Sequence, residues 1–165
     1  MITNDSLSPA VSEQDWRLYI KLQGIQNALR AYRSRSTENL PIVDCHVICR
    51  GLSLYDSQFS TLTGYYLGVG KCRNDEAGHW VLPELCEHSW LRLPSGMYID
   101  TYPVGMICVQ PLLIPENEKY GNYGRDLYLV DDEVGQRQST PEVLERSRIF
   151  CGLIEKASQM FPKLL

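Results

Sequence analysis

From Ser12 the apolar residues Leu18, Leu22, Ile25, Leu29 and Tyr32 recur at alternating spacings of four and three. That repeat is one face of a helix of about 20 residues. Ser12 followed by Asp15 resembles a capping box, and Arg30, Arg33 and Arg35 gather at the far end, where cations favour the helix dipole. A short linker, Ser36 to Pro41, leads into Ile42-Val43-Asp44-Cys45. Val47 or Ile48, Leu52, Tyr55 and Phe59 then keep a helical period, which Gly51 weakens by up to ~1 kcal/mol. From Thr63 the texture changes. Residues 64–70, 79–82, 88–93, 97–102, 104–114 and 127–130 read as short strands between turn residues, and 115–125 as a polar loop. Ser139, Thr140, Pro141 and Glu142 are helix-start chemistry, and Val143, Phe150, Ile154, Ala157 and Phe161 line a closing helix that Pro162 stops. The pattern predicts an α+β domain in which an antiparallel sheet of about five strands packs against an N-terminal helix pair and a C-terminal helix.

The 165 residues fit one domain, 1–165, with residues 1–11 as a loose polar leader. With 44% apolar residues the chain can bury a core and is too apolar for intrinsic disorder. The net charge of −4 argues against a protein-wide phosphate-binding surface, so no nucleic-acid partner is expected. No stretch approaches the roughly 18 consecutive apolar residues that cross a bilayer, and Met1 to Asp15 lacks the cationic start and apolar middle of a secretory signal. The expectation is a cytoplasmic protein without a membrane partner, with non-classical secretion as an effector also compatible.

Six cysteines stand at 45, 49, 72, 86, 108 and 151, none in Cys-x-x-Cys spacing. They read as reduced thiols, mostly buried as small hydrophobes. The question is whether one of them reacts.

The segment His88-Ser-Trp-Leu-Arg-Leu-Pro-Ser-Gly-Met-Tyr-Ile-Asp-Thr-Tyr102 narrows it. Pro94, Ser95 and Gly96 suit a three-residue hairpin loop with glycine in the left-handed position. Leu93 then opposes Met97, Leu91 opposes Ile99 and Ser89 opposes Thr101. One face carries Leu91, Leu93, Met97 and Ile99, a core face. The other carries His88, Trp90, Arg92, Tyr98, Asp100 and Tyr102, with Trp90 across from Asp100. His88 and Asp100 become diagonal neighbours, about 7–8 Å apart at the backbone and within side-chain reach. A slip of one residue would put the apolar set on the wrong face, so the register is well specified. A carboxylate on one imidazole nitrogen fixes the tautomer and frees the other nitrogen to take a proton.

Cys45 is the candidate donor of that proton, because it stands where an irregular segment enters a helix, whose N-terminal amides favour a thiolate. Cys49, one turn later, and Cys86, two residues before His88 on the same strand face, are the other sulfurs that could serve. His46 reads as a polar helix-start residue, and His79 with Trp80 as part of the preceding strand or loop.

The order cysteine, His88-Ser-Trp90, Gly96, Ile99-Asp100 resembles the transglutaminase-like branch of the papain-like cysteine enzymes over roughly residues 40–105. The resemblance implies a papain-like or transglutaminase-like core. It also implies a catalytic Cys45–His88–Asp100 triad acting on a protein or peptide amide without a cofactor, as a protease, amidase, glutamine deamidase or transglutaminase-like enzyme. His88 would be the general base and Asp100 its orienting carboxylate, with Cys45 carried over by order and spacing. Asn39 stands where papain-like enzymes place an oxyanion donor, with the backbone amide of Cys45 as the other source, while Trp90, Tyr98 and Tyr102 would wall the pocket. The chain departs from the family pattern at Asp100-Thr101, where Asp-Pro is frequent, and at His46, where a small or aromatic residue is usual. Two other classes compete with this one. The first is an inactive interaction module of the same fold. The second is a zinc site drawn from Cys45, His46, Cys49, Cys86 and His88.

Overall fold

The computed structural model of the protein describes residues 11–38, 43–67, 73–74, 80–81, 86–101, 111–114, 119–120 and 123–165. The expected leader lies outside these residues except for Val11, which packs against the core.

The first helix, α1, spans Glu13–Arg35. Ser12 caps it, its hydroxyl accepting from the Asp15 amide at 3.1 Å. The Asp15 carboxylate accepts from Ser95 Oγ at 2.7 Å and ties the helix start to the tip of the later hairpin. Leu18, Leu22, Ile25 and Tyr32 are buried, as their spacing predicts. Helix α2 spans Cys45–Tyr55 and is capped by Asp44, whose Oδ1 accepts from the Val47 amide at 3.0 Å. It is one turn shorter than the sequence period suggests. The backbone turns extended at Asp56, and the Phe59 amide bonds the Asp56 carbonyl at 3.0 Å. Phe59 is therefore a core residue of the turn into the sheet, 1% exposed, and not part of the helix.

The main sheet is antiparallel and curled, in the order β6-β5-β4-β1-β9. Its members are β1 (Ser60–Tyr66), β4 (Cys86–Arg92), β5 (Tyr98–Asp100), β6 (Leu112–Ile114) and β9 (Tyr128–Val130). Two small pairs stand apart from it. Strand β2 (Arg73–Asn74) pairs with β3 (Trp80–Val81), and β7 (Lys119–Tyr120) with β8 (Tyr123–Gly124) inside the expected polar loop. The first strand starts at Ser60, four residues before the expected Gly64. A short helix α3, Asp132–Arg137, fills a stretch to which the sequence pattern assigns no element; Asp131 caps it and Val134 anchors it. The last helix, α4, spans Pro141–Met160 with Thr140 as its cap and Pro141 in its first turn.

The β4–β5 hairpin has the expected register. Leu91 pairs with Ile99 and Arg92 with Tyr98, Leu93 N donates to Met97 O at 2.8 Å, and Gly96 takes φ 94°. That backbone is open to glycine and strained for an L side chain. Leu91, Leu93, Met97 and Ile99 meet Leu18, Leu22, Ile25, Val47, Leu52, Phe150 and Ile154 from α1, α2 and α4 in one core. Burial of each large aliphatic side chain contributes roughly 1.5–3 kcal/mol. The opposite face carries a second cluster, Tyr66, Trp90, Ile114 and Tyr128. Among the described residues no helix is long and apolar enough to cross a membrane.

Candidate active site

The start of α2 and the middle of β4 bring the predicted chemistry together. Cys45 is the first helical residue after the Asp44 cap. The four leading amides of a helix lack intrahelical partners. Asp44 takes the amide of Val47, and those of Cys45 and His46 stand ahead of it at the positive end of the dipole.

His88 is 1% exposed and Asp100 fully buried. Nε2–H of His88 donates to Asp100 Oδ2 at 2.9 Å, as the diagonal placement predicts. That bond leaves Nδ1 as the nitrogen available to sulfur, and the Cys45 thiol hydrogen-bonds the His88 side chain. The sulfur also hydrogen-bonds the ring of its neighbour, His46.

The charges at this contact are inverted relative to free cysteine and histidine. Burial pushes the Cys45 thiol up, but hydrogen bonds from His46 and His88, with the charge of both rings, outweigh it and bring the pKa from 9.0 down to about 6. Burial pulls His88 down, but its hydrogen bonds to Asp100 and Cys45 and their negative charge raise it from 6.5 to about 9. Between those two values the proton sits on nitrogen, and the pair is thiolate and imidazolium.

The other two candidate sulfurs are placed differently. Cys49, fully buried one turn on, hydrogen-bonds Thr101 Oγ1 at 3.6 Å, and burial drives its pKa well above 9.0. Cys86 is half-buried and donates to the Glu87 carbonyl at 3.7 Å; burial and nearby negative charge, including Cys45, raise its pKa. Of the three, Cys45 alone is activated.

Around the imidazole the aromatic residues form a buried wall. The Trp90 ring lies roughly parallel to His88 at 6.3 Å between centroids and is fully buried. Tyr98, half-buried, packs on Trp90 at 5.8 Å and is covered by the Arg125 guanidinium, 3.8 Å from its ring centroid. Asn39 and Tyr102 lie outside the described residues.

Sequence reasoning missed two participants. Tyr128, on β9, donates its hydroxyl to Asp100 Oδ2 at 2.7 Å and packs on Trp90 at 5.1 Å. The carboxylate is thus held by a phenol as well as by the imidazole. His46, read as a helix-start polar residue, is 8% exposed and points its Nδ1 at Ser89 Oγ, 2.8 Å away. The only sequence signal for it was adjacency to Cys45; for Tyr128 there was none, because its role depends on which strand joins β1.

Among the described residues no group of three or more His, Cys, Asp or Glu side chains is disposed to hold a metal ion. Comparison of the chain with protein-family models, with curated proteins and with solved structures gives no match.

Proposed function

We propose that the protein is a cysteine-dependent acyl-transfer enzyme acting on a protein or peptide amide through Cys45, His88 and Asp100. The observation that carries this reading is a chain of buried hydrogen bonds at a helix start: Cys45 to His88, His88 to Asp100, and Asp100 to Tyr128. The similarity of His88-Ser-Trp90, Gly96 and Ile99-Asp100 to the transglutaminase-like branch of the papain-like enzymes supports the same chemistry and suggests the core arrangement.

The Cys45 thiolate attacks the amide carbonyl carbon and a C–S bond forms. The oxyanion that develops is received by the amides of the first turn of α2. His88, as imidazolium, gives its proton to the nitrogen of the departing amine while the C–N bond breaks, leaving a thioester on Cys45 and a neutral imidazole. Water or a second amine then attacks the thioester and His88 takes its proton. The thiolate leaves, restoring the starting ion pair. Asp100 holds the productive tautomer throughout, and Trp90 keeps solvent from the imidazole.

Two measurements test the reading. Iodoacetamide at pH about 6 alkylates Cys45 far faster than the same residue in the denatured chain, because an ordinary thiol is protonated there. An electrophilic amide probe labels the wild type but neither Cys45→Ala nor His88→Ala, as read by mass spectrometry. Equal alkylation of folded and denatured protein, or full labelling in both variants, overturns the mechanism and leaves an interaction module of this fold.

A further inference from the structure

His46 has an environment that a helix-start polar residue does not need. Its Nδ1 meets Ser89 Oγ at 2.8 Å, and Ser89 Oγ meets Thr63 Oγ1 at 2.8 Å. Arg50, one turn along α2, donates to the His46 carbonyl at 3.2 Å, to Ser89 Oγ and Thr63 Oγ1 at 3.4 Å each, and to Ser139 Oγ at 3.1 Å. With the guanidinium donating to both hydroxyl oxygens, Thr63 Oγ1–H can donate to Ser89 and Ser89 Oγ–H to His46 Nδ1, the arrangement that keeps the ring hydrogen on Nε2. Ser89 is fully buried and Thr63 nearly so, so the network has no water to fall back on and the ring is fixed.

We propose that His46 is a second imidazole donor to the Cys45 sulfur, held by Ser89, Thr63 and Arg50, and that it stabilises the thiolate both before attack and when it leaves the thioester. The inference rests on the proposed acyl transfer and divides the labour within it. His88 must surrender its proton to the departing amine, so it cannot remain a cation beside sulfur throughout the cycle. An Nε2–H that donates to sulfur without transferring its proton gives up nothing. It stands beside sulfur together with His88, reprotonated by the attacking water, when the thiolate is expelled, the step in which sulfur must carry negative charge again.

The test is the pH dependence of Cys45 alkylation by iodoacetamide, which needs no substrate. The charged and titratable groups that share this neighbourhood are His88, Cys86 and Glu87 from β4, Asp100 from β5, Cys49 and Arg50 from α2, and Asp44 at its cap. The variants leave all seven in place. Asparagine at position 46 can keep a partner for Ser89 at the place of Nδ1 while removing the donor at Nε2. Glutamine reaches the place of Nε2. His46→Asn is expected to raise the midpoint of the alkylation profile from near 6 by about one pH unit or more, a loss of rate at pH 6 of about fivefold or more. His46→Gln is expected to recover part of it. Ser89→Ala, which frees the ring without removing it, moves the midpoint the same way by less. An unchanged midpoint in folded His46→Asn, with the wild type titrating near 6, overturns the inference and leaves the acyl-transfer reading intact. A wild-type midpoint near 9 overturns both.

Discussion

The two faces of the sheet are cut from the same strands in alternation, and they carry opposite kinds of order. On the helix side, Leu91, Leu93, Met97 and Ile99 are held by dispersion and exclusion from water, interactions without direction. On the other side, His88, Asp100 and Tyr128 are as deeply buried but are held by bonds of 2.9 and 2.7 Å that specify which atom faces which. A buried polar group without a partner costs about 1–3 kcal/mol, so that face tolerates few alternatives. The helix side sets where α2 lies; the polar side lowers the pKa of the thiol at its tip. Cys45 and Cys49 show the division within one turn of helix. The thiol at the tip meets two imidazoles and ionises, whereas the thiol aimed into the core next to Thr101 stays protonated.

The largest effects are expected where this division is removed outright. Cys45→Ala abolishes amide turnover and acid-range alkylation, while Cys49→Ala leaves both intact in whatever fraction folds. His88→Ala lowers turnover by on the order of 10² to 10⁴, the usual contribution of a positioned acid–base group. Progress curves with an amide substrate and peptide mapping of the alkylated protein read both. Turnover that survives Cys45→Ala and falls with Cys49→Ala would reverse the assignment of the two turns.

The opposite substitution separates stability from chemistry. Ile99 is fully buried and backs the strand that carries Asp100. Ile99→Ala is expected to destabilise the protein by about 2–5 kcal/mol through lost burial and the cavity left behind. The alkylation midpoint of the molecules that remain folded should stay where it is in the wild type. Urea unfolding and the pH profile, measured on one preparation, decide it. A midpoint that rises with the loss of stability would mean the two faces are not independent.

How far the sequence reveals this molecule follows from where each signal is stored. The hairpin is legible because its period of two and Gly96 agree on one register; the His88–Asp100 bond is then a local consequence, 12 residues apart. The cap at Asp44 and the position of Cys45 are equally local. His46 gains its meaning from Ser89, 43 residues away, and Tyr128 from Asp100, 28 residues away across two other strands. Nothing in the periodicity of either segment encodes those meetings. Helix α3 escapes notice for a different reason: in six residues only Val134 is apolar, too few to show a period. Gly51, which reads as a weakness in α2, marks where α4 closes on it. A Cβ there would stand 2.5 Å from Phe150 Cδ1.

A smaller effect sharpens the account of the polar face. Tyr128→Phe removes one of the donors that Asp100 Oδ2 receives and keeps the ring against Trp90. Stability should fall by about 1–3 kcal/mol, the cost of one unmade buried hydrogen bond. Turnover should drop severalfold, because the carboxylate keeps His88 but is less firmly aimed. A loss as large as that of His88→Ala would make the phenol a direct participant.

The smallest expected effect is no effect at all. Cys45, lowered from 9.0 to about 6, contributes stability that is fully present above pH 9 and is lost as pH falls through 6. His88, raised from 6.5 to about 9, contributes stability that is fully present below pH 6.5 and is lost as pH rises through 9. Between 6.5 and 9 the two slopes oppose and cancel. Folding moves a proton from sulfur to nitrogen, and the folded and unfolded pair bind the same number of protons. The double variant Cys45→Ala/His88→Gln contains neither group, so its stability curve subtracted from that of the wild type isolates the pair. The difference should stay level within about 1 kcal/mol from pH 6.5 to 8.5 by urea unfolding. Over pH 5 to 7 the alkylation rate of wild-type Cys45 climbs roughly tenfold. A difference curve that climbs steadily with pH would mean that the thiol ionises without passing its proton to His88. The sulfur and the imidazole would then be neighbours and not a pair.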